Sequence, residues 1–152
     1  MAIAFILVTP INHPAAMTWL ILLHDENLMN ETKILVVDDD EKILFAFHEV
    51  LEKEGYMSLE AHDGTEALEK FAAEQPQVII VDVVLPDWDG LELMRHLKQK
   101  NGFIPVIVIT GQSTKHNEEE ARRLGAFQYL TKPLSVAKVR ETIRQALLSK
   151  SS

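Results

Sequence analysis

The sequence contains no cysteine and is poor in basic residues. Without cysteine the chain can form neither a disulfide framework nor a thiolate metal site, and a reducing cytosol is the simplest setting for it. Its 15 lysines and arginines against 23 acidic residues give a formal net charge of -8. Binding to nucleic acid needs clustered Lys and Arg that release counterions, so no nucleic-acid partner is expected. Partners are therefore expected among proteins and cations.

Two further kinds of site are missing from the sequence. It has no glycine-rich phosphate loop, so ATP is not expected to donate phosphate directly. Its six histidines show no metal-ligand spacing such as HExxH, and none is interpreted as a ligand or as a phosphohistidine.

What remains is the composition of one globular domain. The chain has 152 residues, of which 47% are hydrophobic and 25% are charged. Domains cluster near roughly 100 to 150 residues, so a second, DNA-binding or catalytic module is not expected. The apolar fraction is sufficient for a buried core and excludes disorder of the whole chain.

The first 28 residues differ from all that follows, because they are apolar and contain no Lys or Arg. As a signal peptide they lack the basic n-region, and as a membrane span they are interrupted between Pro10 and Pro14. Three interpretations stay open: a dispensable extension before a natural start at Met29, a membrane-associating segment, or an ordered addition to the fold. We favour the first, with residues 1–28 outside a domain formed by residues 29–152 and no stable membrane association.

Beyond Met29 short apolar runs alternate with longer segments of helical period, which predicts a parallel sheet covered on both faces. The first, third and fourth runs (ILVV, VIIV and VIVI) are continuously apolar and mostly β-branched, as is typical of central strands. The second alternates, with Ser58 and Glu60 on one side, which indicates a sheet edge. The predicted strands are residues 33–38, 57–61, 78–82, 105–110 and 127–131.

Five helical segments follow these strands. The first ends at Gly55, the second spans about residues 65–74, the third about 91–100 and the fourth about 115–124. The fourth offers only Ala121 and Leu124 to a core, so it is the most weakly anchored. The residues predicted to face the core in the other helices are Ile43, Leu44, Phe47, Val50 and Leu51 in the first, Leu68 and Phe71 in the second, Met94 and Leu97 in the third, and Val136, Val139, Ile143 and Leu147 in the last.

Polar side chains stand where the predicted strands end. Five βα units build a doubly wound α/β sheet, and such sheets place their sites outside the carboxyl ends of the strands. The residues at those ends are Asp38 and Asp39 after the first strand, Asp82 after the third, Thr110 after the fourth and Lys132 after the fifth.

The chemistry of these residues fits an acyl phosphate. Three carboxylates in one crevice repel one another unless a cation compensates them, and hard oxygen ligands suit Mg²⁺. The hydroxyl of Thr110 can donate to a phosphoryl oxygen, and the ammonium of Lys132 can neutralise another. The central carboxylate is then the natural nucleophile.

Each of these residues also has a simpler explanation. An Asp run before a helix commonly caps it, which is the role expected of Asp40, and PDWDG alone is a tight turn in which Trp88 has a local role. Thr110, Lys132 and Tyr129 are each compatible with an ordinary place in a strand or on the surface. The functional interpretation rests on all of the candidates falling at strand ends on the same side.

Four segments together resemble a known family. ILVVDDD, VIIVDVVLPDWDG, VIVITG and YLTKPL are similar, in order and spacing, to the receiver domain of two-component response regulators, from residue 33 to about residue 148. The resemblance implies a flavodoxin-like fold with the strand order 2-1-3-4-5 and five helices. It is closest in kind to the stand-alone, chemotaxis-type receivers.

The resemblance also implies a metal site. Asp82 is expected to be the phosphoacceptor, Asp39 a direct Mg²⁺ ligand, and Asp38 a ligand acting mostly through water. The backbone carbonyl of Val84 is expected to complete the protein ligands.

Three further roles follow from the resemblance. Thr110 and Lys132 are expected to hold the phosphoryl oxygens. Tyr129 is expected to be an aromatic switch that turns inward when Thr110 moves. The bond from Lys132 to Pro133 is expected to be cis.

The implied function is that of a cytoplasmic single-domain response regulator. It would accept a phosphoryl group from a sensor histidine kinase or a histidine phosphotransfer protein, catalysing its own phosphorylation and dephosphorylation without being an enzyme in the usual sense. Docking is expected near Ile43, Leu44, Pro133 and Leu134. No output domain is expected after Ser152, so the signal is expected to pass to an unknown protein target through the fourth and fifth helices and the last strand.

Three alternatives come from other classes. A phosphorylation-independent binding module would keep the fold but usually loses an acid or the Lys. An aspartyl-phosphate hydrolase of another family would need a second acid two residues after the nucleophile, where Val84 stands. A flavin-binding protein would place the cofactor phosphate in the first loop, where DDDEK would repel it.

Overall fold

The computed structural model describes residues 32–149, and the account below is confined to them. The strands are β1 Lys33–Val37, β2 Met57–Ala61, β3 Val78–Asp82, β4 Val106–Thr110 and β5 Gln128–Thr131. The helices are α1 Glu41–Lys53, α2 Gly64–Glu74, α3 Gly90–Lys100, α4 Lys115–Arg123 and α5 Val136–Ser149. The predicted extension, residues 1–28, lies outside the described residues.

The five strands form one parallel sheet in the order β2-β1-β3-β4-β5. This confirms the predicted α/β doubly wound fold, with β2 at an edge. The predicted strands extend one residue beyond the observed ones at Asp38, Pro105 and Phe127. All three residues still bond to a neighbouring strand: Asp38 N–H donates to the carbonyl of Ala61 (3.0 Å), Phe127 N–H donates to that of Val106 (2.8 Å), and the carbonyl of Pro105 accepts from Ile79 N–H (3.1 Å).

Alternate residues of the central strands β1, β3 and β4 are buried on opposite faces of the sheet. Leu35, Ile79 and Val108 belong to a core covered by α2, α3 and α4. Ile80 and Ile107 belong to a second core covered by α1 and α5. Because helices cover both faces of the sheet, these strands consist of continuous apolar runs in the sequence.

Each of the five described helices begins with a side chain that accepts a hydrogen bond from its own first turn, and for α5 it is Ser135, whose Oγ accepts from Lys138 N–H at 3.1 Å. The caps of the other four are Asp40 for α1, Asp63 for α2, Asp89 for α3 and Thr114 for α4. Asp40 accepts from Lys42 N–H at 2.9 Å, which confirms the capping role expected of it.

The predicted core residues pack against the core at every position except Val136, although Ile43, Val50, Leu68, Phe71 and Leu147 are only partly buried. Val136 is 51% exposed because it is the first residue of α5 and lines a surface groove; the buried stripe begins at Val139. In α2 the fully buried apolar residue is Ala67, whereas Leu68 and Phe71 are only partly buried against the same core. A small residue lets α2 lie close to the sheet, and the larger neighbours then flank the contact.

Within residues 32–149, no helix combines the length and the hydropathy that a membrane span requires.

Candidate functional site

The predicted site residues converge at the carboxyl edge of the sheet. Asp38 follows β1, Asp82 ends β3 and Thr110 ends β4, and the side chain of Lys132 reaches them from the end of β5. Asp38 and Thr110 are fully buried and Asp82 is 6% exposed. Buried polar groups of this kind need partners, and the sheet edge supplies them.

Lys132 forms an ion pair with two of the carboxylates. Its Nζ donates to Oδ2 of Asp38 at 2.8 Å and to Oδ2 of Asp82 at 2.7 Å. The side chain of Lys132 is 20% exposed, so the three charges sit largely out of water. The sequence predicted Lys132 near a phosphoryl group; in the described structure it also neutralises the acids.

The pKa values of this group reflect burial and pairing. Burial raises the pKa of Asp38, because its effect exceeds that of the hydrogen bonds from Lys132 and the Asp40 amide, and the nearby charge of Asp82 acts in the same direction as burial. Burial opposes the charge of Lys132, but its hydrogen bonds to both carboxylates prevail and raise its pKa.

Asp39 joins these acids from the solvent side. Carboxylate oxygens of Asp38, Asp39 and Asp82 all lie within 4.8 Å of one another, and Asp39 is exposed where the other two are buried. Three hard oxygen donors with one open side match the ligand preference of Mg²⁺, which keeps several of its waters. The donor set therefore fits the metal that the sequence predicts.

The same local hydrogen bond orients each functional oxygen. Asp38 Oδ1 accepts from the backbone N–H of Asp40 at 2.9 Å, and Asp82 Oδ1 accepts from that of Val84 at 3.0 Å. Thr110 Oγ1 accepts from the backbone N–H of Gln112 at 3.0 Å. A bond to the amide two residues ahead is the turn geometry that Asp and Thr favour, so the strand ends themselves fix these side chains.

The backbone around Asp82 is tightly packed against the start of α3. The Gly90 N–H donates to the carbonyl of Val83 at 2.8 Å, and Val84 pairs with Asp89 in an isolated antiparallel bridge. A Cβ atom on Gly90 would stand 2.0 Å from the carbonyl oxygen of Asp82. Only glycine fits there, which explains the Asp-Gly step in PDWDG.

Two further predicted residues, Val84 and Tyr129, differ in their surroundings. The side chain of Val84 is 53% exposed beside Asp82. The ring of Tyr129 packs against the core under α2, α3 and α4, and its buried hydroxyl has no hydrogen-bond partner within residues 32–149. The Lys132–Pro133 peptide is cis, as expected. The roles of the Val84 carbonyl and of Tyr129 as a switch stay predictions.

Sequence reasoning missed how the loop after Asp82 is held. Asp87 bonds to the first turn of α2. Trp88 contacts Gly64 and packs against the His96 ring in a T-shaped arrangement, with ring centroids 4.9 Å apart. The sequence does mark where α2 begins, because Asp63 is an N-cap acid followed by Glu66 three residues later.

His62 links α1 to α2 beside this site. Its Nε2 lies 2.6 Å from Oε1 of Glu41, and its Nδ1 lies 3.1 Å from Oε2 of Glu66. The hydrogen bond to Glu66 raises the pKa of His62, which partial burial opposes and the charge of Glu41 reinforces. A protonated imidazole can donate to both carboxylates at once.

We expect His62→Gln to destabilise the protein in a pH-dependent way. Because the pKa of His62 is raised above its usual 6.5, its contribution is fully present below that value and is lost as the pH rises through the folded-state pKa. The partly exposed pairs limit the effect to about 1 kcal/mol or less. Urea unfolding at about pH 5.5 and about pH 8.5 measures it, with the exposed His116→Gln as control. An equal destabilisation at both pH values would contradict the ion pairing.

Comparison with known proteins identifies the family. Residues 34–144 match the response regulator receiver domain family. The chain belongs to this family. Its membership places it among the domains that signal by accepting a phosphoryl group, and receivers of this family generally bind Mg²⁺ at an acidic pocket.

Individual relatives agree with this assignment. The chain is 34% identical to the sporulation initiation phosphotransferase F of Bacillus subtilis (strain 168) over 125 residues, which is 82% of this chain and 100% of that protein. It is 39% identical to the alkaline phosphatase synthesis transcriptional regulatory protein PhoP of the same organism over 115 residues, which is 76% of this chain but only 48% of that protein. Thus the receiver spans the whole of one relative and about half of the other.

A solved structure supports the fold independently. The crystal structure of a CheY-like response regulator receiver domain protein from Methanospirillum hungatei JF-1 superimposes with a TM-score of 0.78 at 30% identity. The match covers 80% of this receiver and 98% of that chain.

Proposed function

We propose that this receiver accepts a phosphoryl group on Asp82 from the phosphohistidine of a sensor kinase or a phosphotransfer protein, and that it passes the signal on by protein contact. The proposal rests on the convergence of Asp38, Asp39, Asp82 and Lys132 at one edge of the sheet. There Asp82 is 6% exposed and is paired with the ammonium of Lys132. A single reactive carboxylate among neutralising groups is the arrangement that acyl-phosphate formation requires.

The transfer forms one bond and breaks another. A carboxylate oxygen of Asp82 attacks phosphorus, the P–N bond to the donor imidazole breaks, and its electron pair stays on the ring nitrogen. The Val84 amide and the Lys132 ammonium, at 3.0 Å and 2.7 Å, hold the two oxygens of Asp82 in fixed directions for this attack. Thr110 lies at the end of the neighbouring strand, with its hydroxyl available as a donor to a phosphoryl oxygen.

Asp38, Asp39 and Asp82 would hold Mg²⁺, together with the backbone carbonyl of Val84. When bound, the ion supplies positive charge against the phosphoryl oxygens and orients them for in-line transfer. The protein residues already reduce the repulsion between the acids, because Lys132 pairs with two of them. Once a phosphoryl group is attached to Asp82, the same ammonium is in reach of its oxygens.

We place the donor protein on an apolar groove beside the site. The groove has a volume of about 240 Å³ and is lined by α1 and by the segment from Lys132 to Val136. Ile43, Pro133 and Leu134, three of the residues expected near the docking site, line it. Leu44 is fully buried in the core and is not accessible to a partner, which corrects the prediction for that residue.

In this proposal the receiver is a phosphoacceptor that promotes its own phosphorylation and dephosphorylation. The signal leaves through α4, β5 and α5, with Thr110 and Tyr129 as the switch residues. The polar α4 helix, in which only Ala121 is buried, suits a surface that repacks with little loss of core contact.

Intact-mass spectrometry of the full chain tests the phosphoacceptor. After incubation with acetyl phosphate and Mg²⁺, we expect the wild type to gain the mass of one phosphoryl group and Asp82→Asn to gain none. Asp40→Asn, which keeps a helix cap, is the matched acidic control and should react like the wild type. EDTA should abolish the gain. If the wild type stays unmodified, the phosphorylation-independent binding module becomes the better interpretation, and if Asp82→Asn reacts equally, the nucleophile is a different residue.

A further inference from the structure

Asp87 connects the loop after the phosphoacceptor to a different helix. Its Oδ1 accepts the backbone N–H of Gly64 at 2.8 Å, and its Oδ2 accepts the backbone N–H of Thr65 at 3.0 Å and the Thr65 hydroxyl at 2.8 Å. The partners are 22 and 23 residues away in the sequence. One carboxylate therefore ties the first two residues of α2 to the loop.

Asp87 and the N-cap residue of α2 accept hydrogen bonds from different amides, so one cannot replace the other. The helix has its own N-cap, Asp63, which accepts the N–H of Glu66 at 2.8 Å and leaves the two earlier amides to Asp87. Helix α3 is capped separately by Asp89. Although desolvation opposes it, the hydrogen bonds from Gly64 and Thr65 lower the pKa of Asp87, so it stays ionised at the positive end of α2.

Trp88 makes a second contact between the same loop and the same helix. A Cβ atom on Gly64 would stand 2.4 Å from the Trp88 ring, so glycine at the first position of α2 admits the indole. The loop thus lies against α2 through a carboxylate and through an aromatic ring.

The other end of the loop is fixed to α3. The bond from Gly90 N–H to the Val83 carbonyl and the bridge between Val84 and Asp89 close the base of the loop. Val84 therefore lies between an anchor on α3 and an anchor on α2. A backbone carbonyl can ligate a metal only if the chain around it holds its direction.

We propose that Asp87 is a positioning residue for the phosphorylation site: by tying the loop to α2 it orients the backbone at Val84 and so sets the affinity of the acidic cluster for Mg²⁺. This inference rests on the proposed function, because it assumes that the Val84 carbonyl is a ligand. It adds α2 to the elements on which the site depends, and it assigns Thr65 as the partner of Asp87.

Isothermal titration calorimetry of the full chain with MgCl₂ tests the proposal without any phosphoryl donor. We expect Asp87→Ala to raise the Mg²⁺ dissociation constant about tenfold, as loss of an outer-shell partner typically does. The matched control is Asp63→Ala, which removes a carboxylate from the same helix start but not from the loop, and it should bind Mg²⁺ within about twofold of the wild type. Urea unfolding of both variants compares their stabilities.

A second pair of variants guards against misfolding of Asp87→Ala. Thr65→Ala removes one of the three hydrogen bonds and should weaken Mg²⁺ binding by a smaller factor, whereas Thr65→Ser keeps the hydroxyl and should restore it. Wild-type affinity in both Asp87→Ala and Thr65→Ala, or equal weakening in Asp63→Ala, would overturn the proposal. If the proposal for Asp87 is overturned but the wild type still gains a phosphoryl group, the proposed function stands. If the wild type neither binds Mg²⁺ nor gains mass, both the role of Asp87 and the proposed function are wrong.

Discussion

Gly90→Ala should destabilise the receiver by about 3 kcal/mol or more, at the upper end of what overpacking in a rigid site produces. The new Cβ would stand 2.0 Å from the Asp82 carbonyl oxygen and 2.7 Å from Cα of Val83. Both obstacles are backbone atoms of a buried strand end, so no side-chain rotation relieves the contact. Helix propensity predicts the opposite sign, because alanine is normally the better residue in a helix.

Urea unfolding followed by circular dichroism measures this effect. The matched control is Gly102→Ala, where the nearest atom to a new Cβ is the Lys98 carbonyl oxygen at 3.7 Å, an ordinary contact. We expect that variant to lie within about 0.5 kcal/mol of the wild type. In Gly90→Ala the displaced Asp82 should also accept phosphoryl groups more slowly. Equal stability of the two alanine variants would contradict the packing described at the start of α3.

Lys132→Met should destabilise the protein by about 3 kcal/mol when Mg²⁺ is chelated, because it leaves buried carboxylates without their cation. Asp38 and Asp82 both lose the ammonium that bonds them at 2.8 Å and 2.7 Å. Methionine keeps most of the side-chain length, so the change is mainly one of charge. Adding Mg²⁺ should stabilise this variant more than the wild type, since the ion supplies the missing positive charge to the same acids.

The control for Lys132→Met is Lys33→Met. Lys33 also pairs with one carboxylate, that of Glu74 at 2.9 Å, but the two side chains are 33% and 42% exposed. Solvent screens that pair, so its loss should change the free energy of unfolding by about 1 kcal/mol or less. A further variant sharpens the test: in the Lys132→Met background, Asp82→Asn should restore stability by removing one of the two facing charges. If the two Met variants are equally stable, the pairing at the site is weaker than its geometry indicates.

The sheet and the site were predictable from the sequence for a common reason. Runs such as VIIVD and VIVIT are apolar until the strand ends, and the first polar residue marks the crevice edge. Asp38, Asp82 and Thr110 were therefore locatable without knowing any contact between them. The predicted bounds of the strands agree with the structure to within one residue.

What could not be predicted depends on distances between loops. Asp87 and Thr65 are polar residues in unrelated segments, and no periodicity indicates that they bond. The second role of Lys132, pairing with the acids, needs the reach of one side chain across the sheet edge. The exposure of Val136 depends on where α5 begins relative to the sheet, which a helical stripe does not specify.

The burial of both faces of the central strands has a consequence for how the chain finds its pairing. In β3, residues Val78, Ile79, Ile80 and Val81 are all apolar and buried, so sliding the strand by one residue would exchange its two faces at little hydrophobic cost. The same slide would carry the Asp82 carboxylate inward, away from Lys132, to a position where its charge has no partner. The Asp82 side chain therefore disfavours this misalignment, and we expect its replacement with an apolar residue to lower the fidelity of strand pairing.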